Sequence, residues 1–253
     1  MIGPLKARIG QGYRTVNYPH DVPALSERFR GLPRIDASKC AAECTACIDL
    51  CPIAAIEKSS DKTILDMGKC IFCGECARVC QQHALQFTRE HRMARHNRRR
   101  LEVDGTGISS EMNERVPELH RLFGRSFRLR QVSAGGCNAC EADTNVLGTI
   151  TYDLGRFGIQ FVASPRHADG LLVTGPVSRN MELALRKTYD AVPEPKVVIA
   201  VGACAISGGV FSGHQEIAGG VADILPIDLF IPGCPPHPLT ILDGLLRLLG
   251  KTR

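Results

Sequence analysis

The feature that most constrains this chain is the placement of its twelve cysteines, which fall into three groups of four. Two groups come from a pair of cysteine-rich runs, at residues 40–51 and 70–80. The third group is spread over distant stretches, with Cys137 close to Cys140 and with Cys204 and Cys234 each alone. The first residues contain no apolar secretory segment. We therefore expect a reducing, cytoplasmic compartment in which the thiols bind metal instead of pairing as disulfides.

The two cysteine-rich runs form an internal repeat. Their unit is close to the C-x2-C-x2-C-x3-C-P run of bacterial ferredoxins, in which three cysteines hold one cluster and the fourth reaches the other cluster. The pattern therefore predicts two [4Fe–4S] clusters. Cluster A is expected to use Cys40, Cys44, Cys47 and Cys80. Cluster B is expected to use Cys51, Cys70, Cys73 and Cys76.

Two departures from the ferredoxin pattern bear on this prediction. Three residues, not two, separate Cys40 from Cys44, and Gln81 stands where the second run would have its proline. The extra residue is compatible with a bulged loop that still binds, or with a different potential or type of first cluster. A pair of zinc sites is the alternative. Zinc ribbons use two Cys-x2-Cys units, whereas a trio with a remote fourth cysteine favours iron.

The third group of cysteines follows predicted strands, each beside glycine or proline. The ligand crevice of an open parallel sheet lies outside the carboxyl ends of its strands. We therefore predict a third [4Fe–4S] cluster there. Its ligands would be Cys137, Cys140, Cys204 and Cys234. A four-cysteine zinc site and buried free cysteines are the alternatives, but glycine allows close approach of backbone to a bulky inorganic ligand.

From residue 126 onward, strand and helix patterns alternate. Strands are predicted at 126–132, 158–162, 170–175, 196–201 and 227–231, and helices at 139–150, 180–191 and 238–249. This alternation indicates a flavodoxin-like parallel α/β domain. The predicted fold class is α+β followed by α/β. Its parts are an extended arm (1–33), a two-cluster ferredoxin-like domain (34–88), a basic helical linker (89–125) and the α/β domain (126–253).

The linker begins with a strongly basic run at residues 89–100, which has six arginines and one acid. We expect a helix whose arginines are solvated or pair with acids of a neighbouring subunit. Nucleic acid or an anionic membrane surface are the alternative partners. The net charge of +5 permits an anionic partner without requiring one. No apolar run approaches the roughly 18 residues that span a bilayer, so membrane association is expected only through partners.

Several motifs carry a resemblance to known families. Tyr18-Pro19, Phe29-Arg30-Gly31-Leu32-Pro33 and Lys69-Cys70-Ile71-Phe72-Cys73-Gly74 resemble the ferredoxin-type subunit of formate hydrogenlyase-like complexes and respiratory complex I. Residues 126–250 resemble the small subunit of membrane-bound [NiFe] hydrogenases of the formate hydrogenlyase type. That resemblance is carried by the motifs around Cys137, Cys204 and Cys234 and by Ser164-Pro165-Arg166-His167. The related complex I subunit is less similar, because its first two cluster cysteines are adjacent.

The resemblance implies an electron-transfer subunit that relays electrons through three [4Fe–4S] clusters to or from a catalytic large subunit. The implied partners are that large subunit with its Ni–Fe site, membrane subunits, and an upstream dehydrogenase or ferredoxin. The implied location is peripheral, on the cytoplasmic side of a membrane. A complex I-like module that serves a quinone without nickel is the first alternative. An iron–sulfur sensor or nucleic-acid binder is the non-enzymatic one.

The resemblance also singles out three residues beside the cysteines. Glu141 matches a glutamate at the subunit boundary that is proposed to pass protons. Its alternative role is that of an acid stabilised at a helix N-terminus by the helix dipole. Arg166 and His167 match a motif that faces the large subunit, and otherwise order the turn after Pro165.

Overall fold

The computed structural model describes residues 3–41, 43–59, 62–106 and 116–252. Its strands are β1 (Pro33–Ile35), β2 (Ile56–Ser59), β3 (Lys62–Asp66), β4 (Leu85–Phe87), β5 (Glu102–Val103), β6 (Phe127–Ser133), β7 (Ile159–Phe161), β8 (Gly170–Thr174), β9 (Val197–Val201) and β10 (Leu229–Ile231). Its helices are α1 (Gly3–Gln11), α2 (Ala46–Asp49), α3 (Glu75–Val79), α4 (Val116–Phe123), α5 (Ala139–Val146), α6 (Arg179–Asp190), α7 (Ala203–Ser207) and α8 (Pro238–Leu248). None of these described helices is long and apolar enough to cross a bilayer.

The C-terminal half is built on a five-stranded parallel sheet with the order β10-β9-β8-β6-β7. Every residue of β8 and β9 is buried, as expected when helices cover both faces of a parallel sheet. Of α8, every residue except Arg247 is buried. The predicted strands and helices of this half are therefore confirmed, with ends that differ by up to four residues.

The N-terminal half consists of two small antiparallel sheets and short helices. One sheet pairs β1 with β4, and the other has the order β2-β3-β5. Helices α2 and α3 each carry one cysteine of the repeat, Cys47 and Cys76. A ferredoxin-like region followed by a parallel α/β domain is the predicted fold class, and it is confirmed.

The two halves share one hydrophobic core. Leu65 and Met67 of the N-terminal half are fully buried in the same cluster as Ile206, Leu225 and Phe230 of the C-terminal half. Close packing of this kind transmits a change on one side to the other. The halves are therefore packed together over a common interior and are not joined only by a linker.

The prediction of a helix across residues 89–100 is wrong. Residues 89–97 are not helical, and a single turn of 3-10 helix follows at Arg98–Leu101. The reason is a distant partner: the Arg95 N–H donates to the Phe230 carbonyl at 2.9 Å, and the Phe230 N–H donates back to the Arg95 carbonyl at 2.7 Å. These bonds to the edge strand β10 replace those that a helix would form. The helix expected near residue 116 is present as α4, and residues 107–115 lie outside the described residues.

The N-terminal arm is only partly extended. Residues 3–11 form the helix α1, none of whose residues is buried, which the sequence did not predict. The following stretch lies on the C-terminal half, where Thr15 Oγ1 donates to the Ile150 carbonyl at 2.7 Å and the Val16 N–H to the Thr151 carbonyl at 2.9 Å. The arm therefore packs against this chain itself, and its residues 1–2 lie outside the described residues.

Candidate metal centres

The first group of thiols gathers around Cys47. Burial raises the pKa of Cys47, and the neighbouring charges of Cys40, Cys44 and Cys80 raise it further. Cys47 lies on α2, while Cys80 ends α3 and Cys40 ends the turn Ala37–Lys39. The remote fourth cysteine of the pattern is thus an electrostatic neighbour of the trio, as the expected set for cluster A requires. Ala42, inside the irregular Cys40–Cys44 spacing, lies outside the described residues.

The second group lies around Cys70. Burial raises the pKa of Cys70 to about 12, and the charges of Cys76, Cys51 and Cys73 add to that rise. All four cysteines line one small cavity between the halves of the repeat. The Phe72 N–H points to Cys70 Sγ at 3.3 Å, and the Ala55 N–H points to Cys51 Sγ at 3.2 Å. Peptide donors of this kind stabilise thiolates that bind a cluster.

The third group lies at the carboxyl ends of β6, β9 and β10. Burial raises the pKa of Cys140, and the charges of Cys204, Glu141, Cys234 and Cys137 raise it further. Burial likewise raises the pKa of Cys204 to about 11. Cys137 and Cys234 are exposed, whereas Cys140 and Cys204 are half-buried. One side of this group therefore faces away from the chain.

Two glycines lie so close to sulfur atoms of the third group that no larger residue fits at their positions. A Cβ on Gly202 would lie 2.5 Å from Cys140 Sγ, and one on Gly209 would lie 2.8 Å from Cys204 Sγ. Both glycines have positive φ, +90° and +56°, a conformation that glycine adopts readily. The backbone thus wraps closely around the sulfur atoms.

The donor sets fit iron–sulfur clusters. Each set is four soft thiolates, the ligands of Fe–S clusters and of zinc. Among the described residues, no group of three or more His, Cys, Asp or Glu side chains is placed so that it could hold a single metal ion.

Glu141 lies in the first turn of α5 and is buried. Its Oε1 accepts hydrogen bonds from Ser133 Oγ at 2.5 Å and from Thr174 Oγ1 at 2.7 Å. It is also an electrostatic neighbour of Cys140 and Cys204. The position is compatible with both of its predicted roles, the proton path and the helix-terminal acid.

Arg166 and His167 form part of the 3-10 turn Pro165–His167 and are both exposed. The His167 N–H donates to the Ser164 carbonyl at 3.2 Å, which closes the turn. The backbone thus orders this turn while the two side chains stay available at the surface.

Several arginines of the basic run pair within this chain. Arg98 binds Asp66 through two bonds, of 2.8 and 2.6 Å, and Arg92 binds Glu90 at 2.6 and 2.9 Å. Arg89 lies 3.5 Å from the Glu27 carboxylate. These three arginines thus have acidic partners within the chain, while Arg89 and Arg92 stay largely exposed, so that pairing with acids of a neighbouring subunit stays a prediction.

Two residues near the thiols were not predicted as site residues, and only Arg30 stands in a motif of the sequence. Thr63 Oγ1 lies 3.3 Å from Cys40 Sγ, and Arg30 Nη1 donates to the Phe72 carbonyl at 3.3 Å beside Cys73. Thr63 lies on β3, between the two cysteine runs, and no spacing rule connects it with either. The alternating burial of β3 indicates only that its side chain points inward.

Fold and sites together define an iron–sulfur protein in which a ferredoxin-like region precedes a parallel α/β domain. The model of the family described as NADH ubiquinone oxidoreductase, 20 Kd subunit, matches residues 137–248. A 4Fe-4S binding domain model matches residues 63–86. The chain belongs to the NADH ubiquinone oxidoreductase 20 Kd subunit family.

Three curated relatives illustrate the range of this family. The probable membrane-bound hydrogenase subunit mbhJ of Pyrococcus furiosus is 41% identical over 55% of this chain and 84% of its own length. Formate hydrogenlyase subunit 7 of Escherichia coli is 44% identical over 59% of this chain and 60% of its own length. An NADH-quinone oxidoreductase subunit of Desulfovibrio desulfuricans is 44% identical over 50% of this chain and 68% of its own length. All three are named as subunits of oxidoreductases, so the expected resemblance is confirmed.

Proposed function

We propose that this chain is the electron-transfer subunit of a membrane-associated oxidoreductase complex. One observation supports the proposal: Cys47, Cys70 and Cys140 each have the other three cysteines of their expected set as electrostatic neighbours, in a chain of this family. Each group would hold one [4Fe–4S] cluster. When bound, such clusters supply one-electron oxidation and reduction.

The protein's own contribution is to hold and shield the sulfur ligands. Cys70 and Cys76 are buried, which keeps water away from cluster B. The reduction potential of a cluster depends on how far the cluster is exposed to solvent and on the hydrogen bonds to its sulfur atoms. Cys137 and Cys234, by contrast, are exposed. We assign that side of the third group, with Arg166 and His167, to contact with a catalytic partner subunit.

The proposed organisation keeps four parts with one revision. They are an arm (1–33), a two-cluster ferredoxin-like region (34–88), a connecting segment (89–125) and the α/β domain (126–253). The described residues 89–106 of the connecting segment are packed against the two halves and do not form the helical linker that the sequence predicted. Met93 and Ala94 are buried within it, so it contributes to the common interior.

The proposed partner is a hydrogenase-type large subunit with a Ni–Fe site, together with membrane subunits and an upstream dehydrogenase or ferredoxin. The two residues between Cys137 and Cys140 support this choice, since they give the spacing of the hydrogenase subunits that the motif resembles. A complex I-like partner that serves a quinone is the second candidate, because a subunit of an NADH-quinone oxidoreductase is also a relative. Arg89, Arg92 and Arg98 pair with acidic residues of this chain, which argues against nucleic acid as the partner of residues 89–100.

Glu141 is proposed as a proton-exchanging group on the partner-facing side of the third group. Its carboxylate and the hydroxyls of Ser133 and Thr174 form a short row of exchangeable protons. Glu141→Gln should then slow proton-coupled turnover of the whole complex while iron content stays unchanged. Loss of iron together with turnover would instead show a structural role.

Isolation of the complex from its native host under anaerobic conditions tests the proposal. The chain should co-purify with a large subunit, and the preparation should contain nickel as well as iron and show hydrogen-dependent dye reduction. Quinone-dependent activity without nickel would select the complex I-like partner. A chain that co-purifies with no oxidoreductase subunit would contradict the proposal.

A further inference from the structure

The hydroxyl of Thr63 lies next to one of the cluster A thiols. Its Oγ1 is 3.3 Å from Cys40 Sγ, and the side chain is 8% exposed. We propose that Thr63 donates a hydrogen bond to the Cys40 thiolate and thereby raises the reduction potential of cluster A. The inference deepens the proposed function and rests on the assignment of Cys40 to that cluster.

The direction of the hydrogen bond follows from the chemistry of the two groups. A thiol that binds iron is deprotonated, so its sulfur can only accept. The threonine hydroxyl has one proton to donate. A buried hydroxyl without a partner is unfavourable. The hydroxyl of Thr63 therefore points its proton at the sulfur.

The strand that carries Thr63 fixes its position. Thr63 pairs with Lys58 in the β2–β3 ladder, and Leu65 on the same face is fully buried. Because successive side chains of a strand point to opposite faces, Thr63 and Leu65 both point inward. A rigid strand thus presents the hydroxyl to the sulfur, whereas the loop that carries Cys40 supplies only the ligand.

Thr63 differs from the other described donors to cysteine sulfur, which are peptide N–H groups. The Ala84 N–H donates to Cys80 Sγ at 3.2 Å. Similar hydrogen bonds run from the Ala55 N–H to Cys51 Sγ and from the Phe72 N–H to Cys70 Sγ. Peptide donors persist whatever the side chain is. Among the described residues, Thr63 contacts a cysteine sulfur through its side chain, so that a substitution there removes one hydrogen bond to cluster A and leaves those to the other clusters in place.

The effect on potential has a definite sign. Reduction adds negative charge to the cluster and its thiolates, and a hydrogen-bond donor stabilises the more negative state. Loss of the Thr63 hydroxyl should therefore lower the midpoint potential of cluster A. Cluster B and the third cluster have no ligand in contact with this hydroxyl and should keep their potentials.

The test is a redox titration of the full-length, iron-loaded protein in which electron paramagnetic resonance monitors the clusters. Thr63→Val removes the hydroxyl at nearly constant shape, and Thr63→Ser keeps it. The midpoint of cluster A should fall in the valine variant and return toward the original value in the serine variant. Cys47→Ser identifies the signal of cluster A, since it removes one of the ligands.

Thr45→Val is the matched control. Thr45 is close in sequence to Cys44 and Cys47, but its hydroxyl donates to Asp49 Oδ2 at 2.7 Å and not to sulfur. This variant should leave all midpoints unchanged. If Thr63→Val does not assemble, Thr63→Ala carries the same expectation.

Four outcomes would overturn the inference. The first is an unchanged cluster A midpoint in the valine variant at full iron content. The second is an equal shift of all three clusters. The third is a shift that serine fails to reverse, and the fourth is loss of cluster A iron in both the valine and the alanine variants. Unmodified protein that binds no iron at all would instead defeat the proposed function, which separates the two failures.

Discussion

Ser207 Oγ donates a hydrogen bond of 3.0 Å to the carbonyl of Gly68, a residue 139 positions away in the sequence. Ser207 ends the helix that carries Cys204, and Gly68 lies in the turn that leads to Cys70. The cysteine-bearing segments of the two halves are thus in direct contact. We expect the halves to unfold together even though their ligand sets are separate.

The arm should contribute to this common stability through Tyr18. Its hydroxyl donates to Asp243 Oδ1 at 2.6 Å, and both side chains are buried. Burial raises the pKa of Tyr18 well above its ordinary value, so the hydroxyl keeps its proton. Tyr18→Phe should lower the free energy of unfolding by about 1–3 kcal/mol, because a buried carboxylate loses a donor. Chemical denaturation of the iron-loaded protein measures this change.

Tyr13→Phe is the control for that prediction. Tyr13 is 90% exposed, and exposed substitutions of this type stay within about 0.5 kcal/mol. Equal effects of the two variants would show that the hydrogen bond between Tyr18 and Asp243 adds nothing to stability.

The ion pair between Arg98 and Asp66 should stabilise the packing of the connecting segment on the N-terminal half. Asp66 is largely buried and also accepts the Gly68 N–H at 2.8 Å. Arg98→Met would leave this carboxylate without its cation and should lower the free energy of unfolding by about 1.5–3 kcal/mol. Arg99→Met is the matched control, because Arg99 is exposed in the same turn of helix. Similar denaturation midpoints for the two variants would contradict the role of the pair.

Gly202→Ala should remove the third cluster selectively. The new Cβ would lie 2.5 Å from Cys140 Sγ, and φ of +90° disfavours any other residue. We expect loss of about one third of the iron, measured by metal analysis, with the other cluster signals retained. Gly155→Ala is the control, since its nearest contact is Asp153 Oδ1 at 3.8 Å. Full iron content in Gly202→Ala would refute the tight packing around Cys140.

Acid should destabilise the protein through its buried histidines, of which His91 is the most enclosed. Burial lowers the pKa of His91, and this outweighs the opposing charges of Asp243 and Glu90. The unfolded chain gains a proton near pH 6.5 while the folded chain does not. The free energy of unfolding should therefore fall as the pH drops below about 6.5. His91→Gln should flatten this dependence in denaturation curves recorded across that range, and an unchanged slope would exclude His91.

Much of this architecture is predictable from local signals. Cysteine spacing and runs of β-branched residues are short-range features, so the ferredoxin-like repeat and strands such as Val197–Val201 follow from them. The basic run misleads for the same reason. Its composition is that of an exposed helix, yet the backbone of Arg95 pairs with the distant Phe230. Local propensity yields to such tertiary contacts.

The parts of the sites that the sequence did not reveal depend on long-range contacts. Thr63 approaches Cys40 because β3 is paired with β2, and neither residue stands in a motif with the other. The pairing of Tyr18 with Asp243 joins residues near opposite ends of the chain. Contacts of this kind require the fold itself.

The central claim is that three thiol groups hold three separate clusters, and the most direct test is iron and sulfide analysis with paramagnetic resonance on anaerobically prepared protein. About twelve irons per chain are expected, falling to about eight in Cys204→Ala with two of three signals kept. Colourless protein rich in zinc would contradict the claim, and so would a Cys204→Ala variant that loses all three signals.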